Sequence, residues 1–377
     1  MYITNELLAS VFADSAAFCG REEVLHAIIF HRLKEAGFSH TRIAREQRLA
    51  EGRVDIVVYD EACDGNFTST TRKPLAAIEV KGGAYGNRNA LRDEIDAWGY
   101  CGDMAKLKSV AIAGVESWFI CVDMQELRWA VSRLKPKLVA ERCAEYGLAF
   151  AYYCQGEDSF LVSRPKQNLL THPLDKPASR SCEGGLDFLW DRADTRFQAF
   201  AEDCLAVVGH EANITARLYD CLRDVSYGAS QLSLETYFNF AARGSRMQDR
   251  PDLVVFKAGF DGRFNLYQDG DRTRSNDQHK LAHINAIFEV KGGASMANKS
   301  DRAVKGAYLV DISKLSQWRA DALKKRKGTQ VHTVFLGVDS RPSRLSAGAM
   351  ETLVVECKNR GHGFIYISRH GVEAIPA

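Results

Sequence analysis

Apolar residues in the first half of the chain follow two spacings, which predict alternating helices and strands. Between residues 22 and 34 they recur at positions 24, 25, 28, 29 and 33, the spacing of one helix face. Short runs rich in β-branched residues at 54–60 and 74–83 are typical of strands. The other predicted elements are a strand or hairpin at 41–49, helices over about 88–108 and 135–146, and strands at SWFICVDM (117–124) and GLAFAYYC (147–154).

The second half of the chain repeats this series of elements. The predicted helices cover 211–224, 300–326 and 346–360, and the predicted strands cover 232–240, 252–258, 284–291, 331–338 and 363–368. A helix, three strands and then helix–strand–helix–strand predict a mixed sheet with helices packed on it. We therefore expect an α/β fold in each half.

The two halves also match in sequence, which indicates a tandem duplication. Residues 78–84 read IEVKGGA and residues 288–294 read FEVKGGA. Other matches follow in the same order: 22–49 with 211–238 without a gap, VDIVV (54–58) with PDLVV (251–255), and DMAKL (103–107) with DISKL (311–315). A repeat of this length means that one domain occurs twice.

Two domains joined by a linker are therefore expected. The first covers 1–163 and the second 197–377, with a linker and a lead-in helix at 164–196. Residues 164–185 hold three of the eight prolines and have no apolar periodicity, as is usual for a linker. The total of 377 residues also fits two domains of roughly 100–200 residues each.

Charge and composition exclude several classes of protein. The 50 Lys and Arg residues nearly balance the 48 Asp and Glu residues, with a net charge of +2. This rules out a histone-like polycation but permits a local basic surface. No stretch approaches ~18 apolar residues, so no membrane partner is expected. The start of the sequence has no secretory signal, and the ten cysteines form no C-x-x-C pair. We therefore expect a cytoplasmic protein.

Acidic and basic residues share one face of the predicted strand that ends in a double glycine. Glu79 and Lys81 are two residues apart, so they project from the same face, and the neighbouring strand can bring Asp55 beside them. Two close carboxylates repel each other unless a hard cation lies between them, and Mg²⁺ prefers such oxygen ligands. The glycines at 82 and 83 are expected to let a phosphate approach closely. The second half repeats this set as Asp252, Glu289 and Lys291.

The two V/P-D…E-V-K sequences resemble the PD-(D/E)xK motif of the restriction-endonuclease-like nuclease superfamily. A glutamate on the preceding helix and D-x-x-K-L on the following one fit the same superfamily. The resemblance covers both halves, and it implies two tandem restriction-endonuclease-like domains, each a mixed central sheet flanked by helices. It also implies hydrolysis of phosphodiester bonds with Mg²⁺, for which Mn²⁺ can substitute. The first copy has Val54 where the motif has proline, and this substitution leaves the acid in place.

The resemblance assigns roles to individual residues. The implied metal ligands are Asp55, Glu79, Asp252 and Glu289, and the implied catalytic lysines are Lys81 and Lys291. Glu22 and Glu211 match a position that often adds an acidic group, and Lys106 and Lys314 match a helix that faces the scissile phosphate in some members. Only the second copy has a run of basic residues, Lys324, Lys325, Arg326 and Lys327. This run is a candidate contact to nucleic-acid phosphates. The longer segment between the Asp and Glu of the second copy is another candidate contact.

The expected function is a Mg²⁺-dependent DNA endonuclease whose two active sites act as a pseudo-dimer, one cut per strand. The expected partner is double-stranded DNA, in restriction or antiviral phage defence, where further defence-system subunits could accompany the chain. A single E-x-K sequence is more often a surface salt bridge, but its duplication in matching context favours a site. Two alternatives stay open. Only one copy is catalytic and the other binds DNA or dimerises, or the protein is a non-catalytic nucleic-acid-binding scaffold.

Overall fold

The computed structural model describes residues 2–18, 20–49, 52–68, 72–82, 100–123, 136–176, 185–236, 250–262, 264, 282–325 and 330–377. This part of the chain divides into two compact units. One contains the elements from Asn5 to Pro173, and the other contains those from Asp187 to Ile375. Each unit has one mixed sheet, of seven strands in the first and six in the second. The predicted α/β class is confirmed.

The first unit is a seven-stranded sheet whose strands lie in chain order, β1 to β7. Strands β3, β4 and β5 are parallel, and the other neighbouring pairs are antiparallel. The elements are α1 (Asn5–Ser15), α2 (Glu22–Glu35), β1 (Ile43–Leu49), β2 (Gly52–Tyr59), β3 (Pro74–Gly82), α3 (Tyr100–Ile112), β4 (Glu116–Asp123), α4 (Pro136–Glu145), β5 (Ala149–Cys154), β6 (Ser159–Ser163) and β7 (Leu170–Pro173).

The second unit repeats the first six strands of the first, in the order β13-β12-β11-β10-β9-β8, and β13 pairs antiparallel with β12 as β6 does with β5. Strands β10, β11 and β12 are parallel. The elements are α5 (Thr195–Leu205), α6 (Glu211–Asp224), β8 (Leu232–Leu234), β9 (Leu253–Phe256), β10 (Ile284–Gly292), α7 (Asp301–Lys325), β11 (His332–Asp339), α8 (Ala347–Arg360), β12 (Gly363–Ser368) and β13 (Gly371–Ile375).

The cores form where helices cover the parallel strands. In the first unit α2 packs on β1–β3 and α3 packs on β2–β4, so the central strands are buried and consist mainly of apolar residues. Trp118 and Phe119 on β4 are completely shielded from solvent. In the second unit α6 packs on β10, and α7 packs on both β10 and β11. Within the described ranges, no helix combines the length and apolar character needed to cross a membrane.

The structure differs from the sequence expectations mainly at sheet edges and segment ends. Strand β7 belongs to the first sheet, although residues 164–196 were expected to hold only a linker and a lead-in helix. Strand β13 was not predicted. The helix expected over about 88–108 is described from Tyr100 and continues to Ile112, while residues 83–99 lie outside the described ranges. The helix predicted over 211–224 is confirmed as α6.

Two candidate metal centres

Asp55 and Glu79 lie opposite each other on neighbouring antiparallel strands of the first unit. The register pairs Ile56 of β2 with Ile78 of β3, and the next position along pairs Asp55 with Glu79. The Val80 N–H donates to Asp55 Oδ2 at 2.8 Å. Because a backbone group of β3 holds the Asp55 carboxylate, both acids stay at one place on the sheet.

The second unit has the same arrangement of Asp252 and Glu289. Leu253 of β9 pairs with Phe288 of β10, so Asp252 comes opposite Glu289. The Val290 N–H donates to Asp252 Oδ2 at 2.6 Å, the counterpart of the bond in the first unit. The two units therefore share the position of both acids and also the hydrogen bond that fixes one of them.

The glutamate at the start of each predicted helix reaches the end of the same strand. Glu22 is the first residue of α2, and its Oε2 accepts the Gly82 N–H at 3.1 Å. Glu211 is the first residue of α6, and its Oε2 accepts the Gly292 N–H at 3.2 Å. A carboxylate in the first turn of a helix is also favoured by the helix dipole. Each site thus gains a third acid from a helix N-terminus.

In the first unit, two lysines connect the acids through an aspartate that sequence reasoning did not assign. Lys81 Nζ lies 2.9 Å from Asp103 Oδ2 and 3.6 Å from Glu22 Oε1. Lys106 Nζ lies 2.6 Å from Asp103 Oδ1 and 2.8 Å from Glu79 Oε1. Asp103, on α3, therefore lies between the lysine of the motif and the lysine of the following helix.

The second unit repeats this network residue for residue. Lys291 Nζ lies 3.3 Å from Asp311 Oδ2 and 3.4 Å from Glu211 Oε2. Lys314 Nζ lies 2.6 Å from Asp311 Oδ1 and 3.1 Å from Glu289 Oε1. Lys106 and Lys314 were expected to contact nucleic acid, and here they bind the site acids. The repeated D-x-x-K spacing was the sequence signal for the missed aspartates, because residues three apart on a helix are neighbours.

A histidine distinguishes the first site from the second. His26 on α2 is only 6% exposed, and its Nε2 lies 3.5 Å from Asp55 Oδ2 and 4.0 Å from Glu22 Oε1. These three side chains each offer one ligand atom, and the three atoms lie within 4.8 Å of one another. In the gap-free alignment of the two copies, Thr215 occupies the position of His26. The sequence comparison contained this difference, but the histidine was not assigned to the site.

Burial makes several of these acids weak. It raises the pKa of Glu79 to about 9, and the charges of Asp55 and Asp103 add to this effect. It raises the pKa of Asp252 to about 8, with a further contribution from Glu211. Concentrated negative charge in a poorly hydrated site is what raises these pKa values, and a bound cation would offset that charge.

The neighbours of Asp55 reverse the effect of burial on its pKa. Burial pushes the pKa up, but His26, Lys81 and the Val80 N–H together bring it below the ordinary value. Burial raises the pKa of Glu22 to about 7, against the opposing charge of Lys81. Burial alone would lower the pKa of Lys81, yet the acids around it, led by Glu22, raise it above the ordinary value. Lys81 therefore carries its positive charge at neutral pH.

The residues present fit a hard divalent cation. Glu289 Oε2 is buried and has no hydrogen-bond partner among the residues that the structure describes. A buried carboxylate oxygen without a partner is costly, and a cation that prefers oxygen ligands would satisfy it. Asp252, which directly precedes β9 and lies opposite Glu289, supplies the second carboxylate. The first unit has the same pair in Asp55 and Glu79.

The first glycine of each double glycine is closely packed against the rest of its unit. A Cβ on Gly82 would collide with Leu25 Cδ1 and lie 3.0 Å from the Val122 carbonyl oxygen. A Cβ on Gly292 would lie 2.5 Å from the Val338 carbonyl oxygen. A larger residue at either position would therefore meet protein atoms, and the approach of a phosphate to the double glycine stays a prediction. These glycines let the glutamate-bearing helix and the neighbouring strand approach closely.

The remaining predicted contacts fall partly outside the described residues. Lys324 and Lys325 are the last residues of α7, whereas Arg326 and Lys327 lie outside the described ranges, as does most of the longer segment between Asp252 and Glu289. No protein-family model matches the chain. No curated protein matches it either.

Proposed function

We propose that this protein is a Mg²⁺-dependent DNA endonuclease of the restriction-endonuclease-like class, with one hydrolytic site in each unit. The observation that carries the proposal is a network that occurs in both units. In each unit one aspartate, Asp103 or Asp311, lies between two lysines, and these lysines also contact two glutamates of the site. Isolated surface ion pairs contribute little to stability. A network that keeps corresponding acids and lysines paired in both copies is better explained by a shared chemical role than by stability alone.

In each site, the two carboxylates that lie opposite each other on the sheet would hold the cation. These are Asp55 with Glu79 and Asp252 with Glu289. A bound Mg²⁺ or Mn²⁺ supplies Lewis acidity, which makes water a better nucleophile and offsets the charge of the phosphate. The Val80 and Val290 N–H groups occupy one oxygen of each aspartate, so they fix its orientation before substrate arrives.

The motif lysine and the glutamate at the helix start would have different roles in the hydrolysis. Lys81 stays protonated because the surrounding acids raise its pKa, so it stabilises negative charge on the phosphate and does not act as a base. Glu22 has a pKa of about 7, which suits a group that accepts a proton near neutral pH. Glu22 Oε1 lies 3.6 Å from Lys81 Nζ, so the two groups can act on the same substrate atoms.

Two complete sites in one chain suit cleavage of both strands of double-stranded DNA. The setting that we propose is restriction or antiviral defence in the cytoplasm. Free thiols support a reducing compartment, and Cys121, Cys143, Cys204 and Cys357 are free thiols in the structure. A second candidate function is a division of labour, in which one unit cuts and the other binds DNA. The difference between His26 and Thr215 favours it, because the two sites are not chemically identical.

Cleavage of supercoiled plasmid in Mg²⁺ tests the proposal. We expect the wild type to linearise the plasmid, Asp55→Asn and Asp252→Asn each to leave mainly nicked circles, and the double variant to be inert. Asparagine keeps an oxygen that can accept the Val80 or Val290 N–H, so the fold is preserved. Asp158→Asn is the matched control, because Asp158 is an exposed aspartate paired with Lys176.

Other outcomes separate the alternatives. Loss of all cleavage in one single variant, with no effect of the other, would indicate a division of labour. A wild type that binds duplex DNA but cleaves nothing in Mg²⁺ or Mn²⁺ would refute the nuclease and favour a binding scaffold. Thermal melting of every variant establishes that it is folded.

A further inference from the structure

A glutamate with strained backbone lies next to the metal-site aspartate in each unit. Glu46 and Glu235 have φ angles of 50° and 46°, which residues other than glycine seldom adopt. On β1, the neighbours of Glu46 pair with the neighbours of Asp55 on β2, so Glu46 comes opposite Asp55. The Glu235 N–H donates to the Asp252 carbonyl oxygen at 3.3 Å. Strain at matching places in two copies indicates a functional constraint.

Each strained glutamate binds an arginine that precedes the aspartate by two residues. Arg53 Nη1 lies 3.0 Å from Glu46 Oε2, and Arg250 Nη1 lies 2.9 Å from Glu235 Oε2. Arg53 and Asp55 are two residues apart on β2, so their side chains project from the same face of the strand. Arg250 and Asp252 lie just before β9, and Arg250 is placed there by its ion pair with Glu235. The side chain of Arg53 is 60% exposed and that of Arg250 is 23% exposed, so solvent reaches both.

The arginine of the first unit is also tied to the acid–lysine network. Lys106 Nζ donates to the Arg53 carbonyl oxygen at 2.9 Å, while the same ammonium group lies 2.8 Å from Glu79 Oε1. The position of Arg53 is thereby fixed relative to the acids that would hold the cation.

We propose that Arg53 and Arg250 each bind a backbone phosphate of DNA next to the phosphate that is cut. In the free protein Glu46 and Glu235 keep these arginines in position, and the DNA phosphate replaces the glutamates when DNA binds. This inference rests on the proposed nuclease function. The guanidinium fork matches two phosphate oxygens, whereas an exposed Arg–Glu pair is worth little in water. Exchange of the glutamate for a phosphate is therefore favourable. A glycine would relieve the strain, but it could not hold the arginine.

The salt dependence of DNA binding measures this contact. Binding of a labelled duplex oligonucleotide is followed in the Asp55→Asn, Asp252→Asn background, which does not cleave. Each phosphate contact contributes about 0.9 to the slope of log affinity against log salt concentration. We expect Arg53→Ala and Arg250→Ala each to reduce that slope by about one, and Arg53→Lys and Arg250→Lys to retain it.

Two other arginines serve as matched controls. Arg142 on α4 pairs with Glu145, and Arg360 on α8 pairs with Glu356. Both lie near the C-terminal ends of helices that lead into β5 and β12, and so near the amino ends of the parallel strands. The candidate sites lie toward the carboxyl ends of β3 and β10. Arg142→Ala and Arg360→Ala are expected to leave the slope unchanged.

A further variant tests the role of the glutamate. Glu46→Gln keeps the size of the side chain but removes the charge that competes for Arg53, so duplex binding is expected to tighten several-fold. Weaker binding in this variant would refute the holding role of Glu46.

The outcomes separate this inference from the proposed function. Duplex binding with an unchanged slope in both alanine variants overturns the arginine contact and leaves the nuclease proposal standing. Absence of duplex binding by the background protein overturns both.

Discussion

The Nε2 atom of His26 lies 3.5 Å from the Oδ2 atom of Asp55. The Nδ1 atom of the same ring lies 3.2 Å from Nη2 of Arg45. A guanidinium group can only donate, so Nδ1 accepts and, in the neutral ring, Nε2 carries the hydrogen toward Asp55. In the gap-free alignment, Thr215 and Leu234 take the places of His26 and Arg45. The first site therefore has a supporting donor for which the second site has no equivalent side chain at the aligned positions.

Loss of that donor is expected to weaken the first site only. His26→Ala in the Asp252→Asn background should slow nicking about 10-fold, because the partners that orient ligand side chains typically contribute 10- to 100-fold. His26→Gln, whose amide can donate near the position of Nε2, should recover part of the rate. Thr215→Ala in the Asp55→Asn background is the counterpart in the second site. A similar loss from both alanine variants would contradict a role confined to the first site.

Cation affinity is expected to rise with pH. Glu79 and Asp252, with pKa values of about 9 and about 8 in the metal-free protein, hold protons at neutral pH. A cation binds the ionised carboxylate, so those protons compete with it and are released on binding. Calorimetric titration with Mn²⁺ between about pH 6 and about pH 9 should show rising affinity, with proton uptake by the buffer. Affinity that is independent of pH would contradict these protonation states.

The same pKa shift predicts that a site variant is more stable than the wild type. The pKa of Asp252 is about 8 when folded and 3.8 as the ordinary value, so the folded state binds the proton more tightly. The contribution of the Asp252 carboxyl to the free energy of unfolding is fully present below pH 3.8 and is lost as the pH rises toward about 8. Asparagine does not ionise, so the Asp252→Asn variant does not lose this stability as the pH rises.

We therefore expect a higher melting temperature for Asp252→Asn at pH 8 in chelator, by about 2–4 °C for each kcal/mol. The gain should shrink as the pH falls toward 4, because an increasing share of the unfolded chain then has this carboxyl protonated, as the folded wild type does. The exposed Asp158→Asn variant should show no such pH-dependent gain. An equal melting temperature at pH 8 would contradict the raised pKa.

The aspartates that join the lysines are expected to matter for rate more than for cation binding. Asp103→Asn removes the charge that holds both Lys81 and Lys106, so the two ammonium groups lose their positions. Small displacements of catalytic groups can cost about 100-fold in rate. Nicking by the first site, measured in the Asp252→Asn background, should fall by about that factor, with Mn²⁺ affinity little changed. A loss of Mn²⁺ affinity as large as the loss of rate would identify Asp103 as a ligand.

The acids and lysine of each motif could be located from sequence because strand alternation fixes which side chains share a face. The spacing of Glu79 and Lys81 and the repeat of the whole set in the second copy were sufficient for that. Asp103 was missed, although D-x-x-K occurs in both copies, because a helical Asp–Lys pair is also common on solvated surfaces. His26 was missed because the comparison of copies emphasised identities, and His26 is a difference.

The edge strands could not be predicted for a different reason. Strand β7 has four residues, Leu170–Pro173, of which three are exposed, so it has no buried apolar face to produce an alternating pattern. Its location follows from backbone pairing with β6, and the periodicity of the sequence contains no information about that pairing. The role of Gly82 was also beyond the sequence, because the atoms that crowd it, from Leu25 and Val122, are distant in the chain.

Close packing at the strand end predicts a large cost for the smallest possible substitution there. A Cβ on Gly292 would lie 2.5 Å from the Val338 carbonyl oxygen and 2.7 Å from Ile214 Cδ1. Backbone atoms cannot move away easily, so Gly292→Ala should destabilise the second unit by about 1–3 kcal/mol. Because the Gly292 N–H holds Glu211, cleavage by the second site should fall as well.

A glycine on the neighbouring helix provides the matched control. A Cβ on Gly306 of α7 would meet no atom within 4 Å, and alanine favours helix over glycine by about 1 kcal/mol. Gly306→Ala should therefore raise the melting temperature and leave cleavage unchanged. In the first unit, Gly82→Ala and Gly102→Ala form the same pair, since Gly82 is crowded and Gly102 is open. Equal stability of the crowded and open variants would contradict the close packing at Gly82 and Gly292.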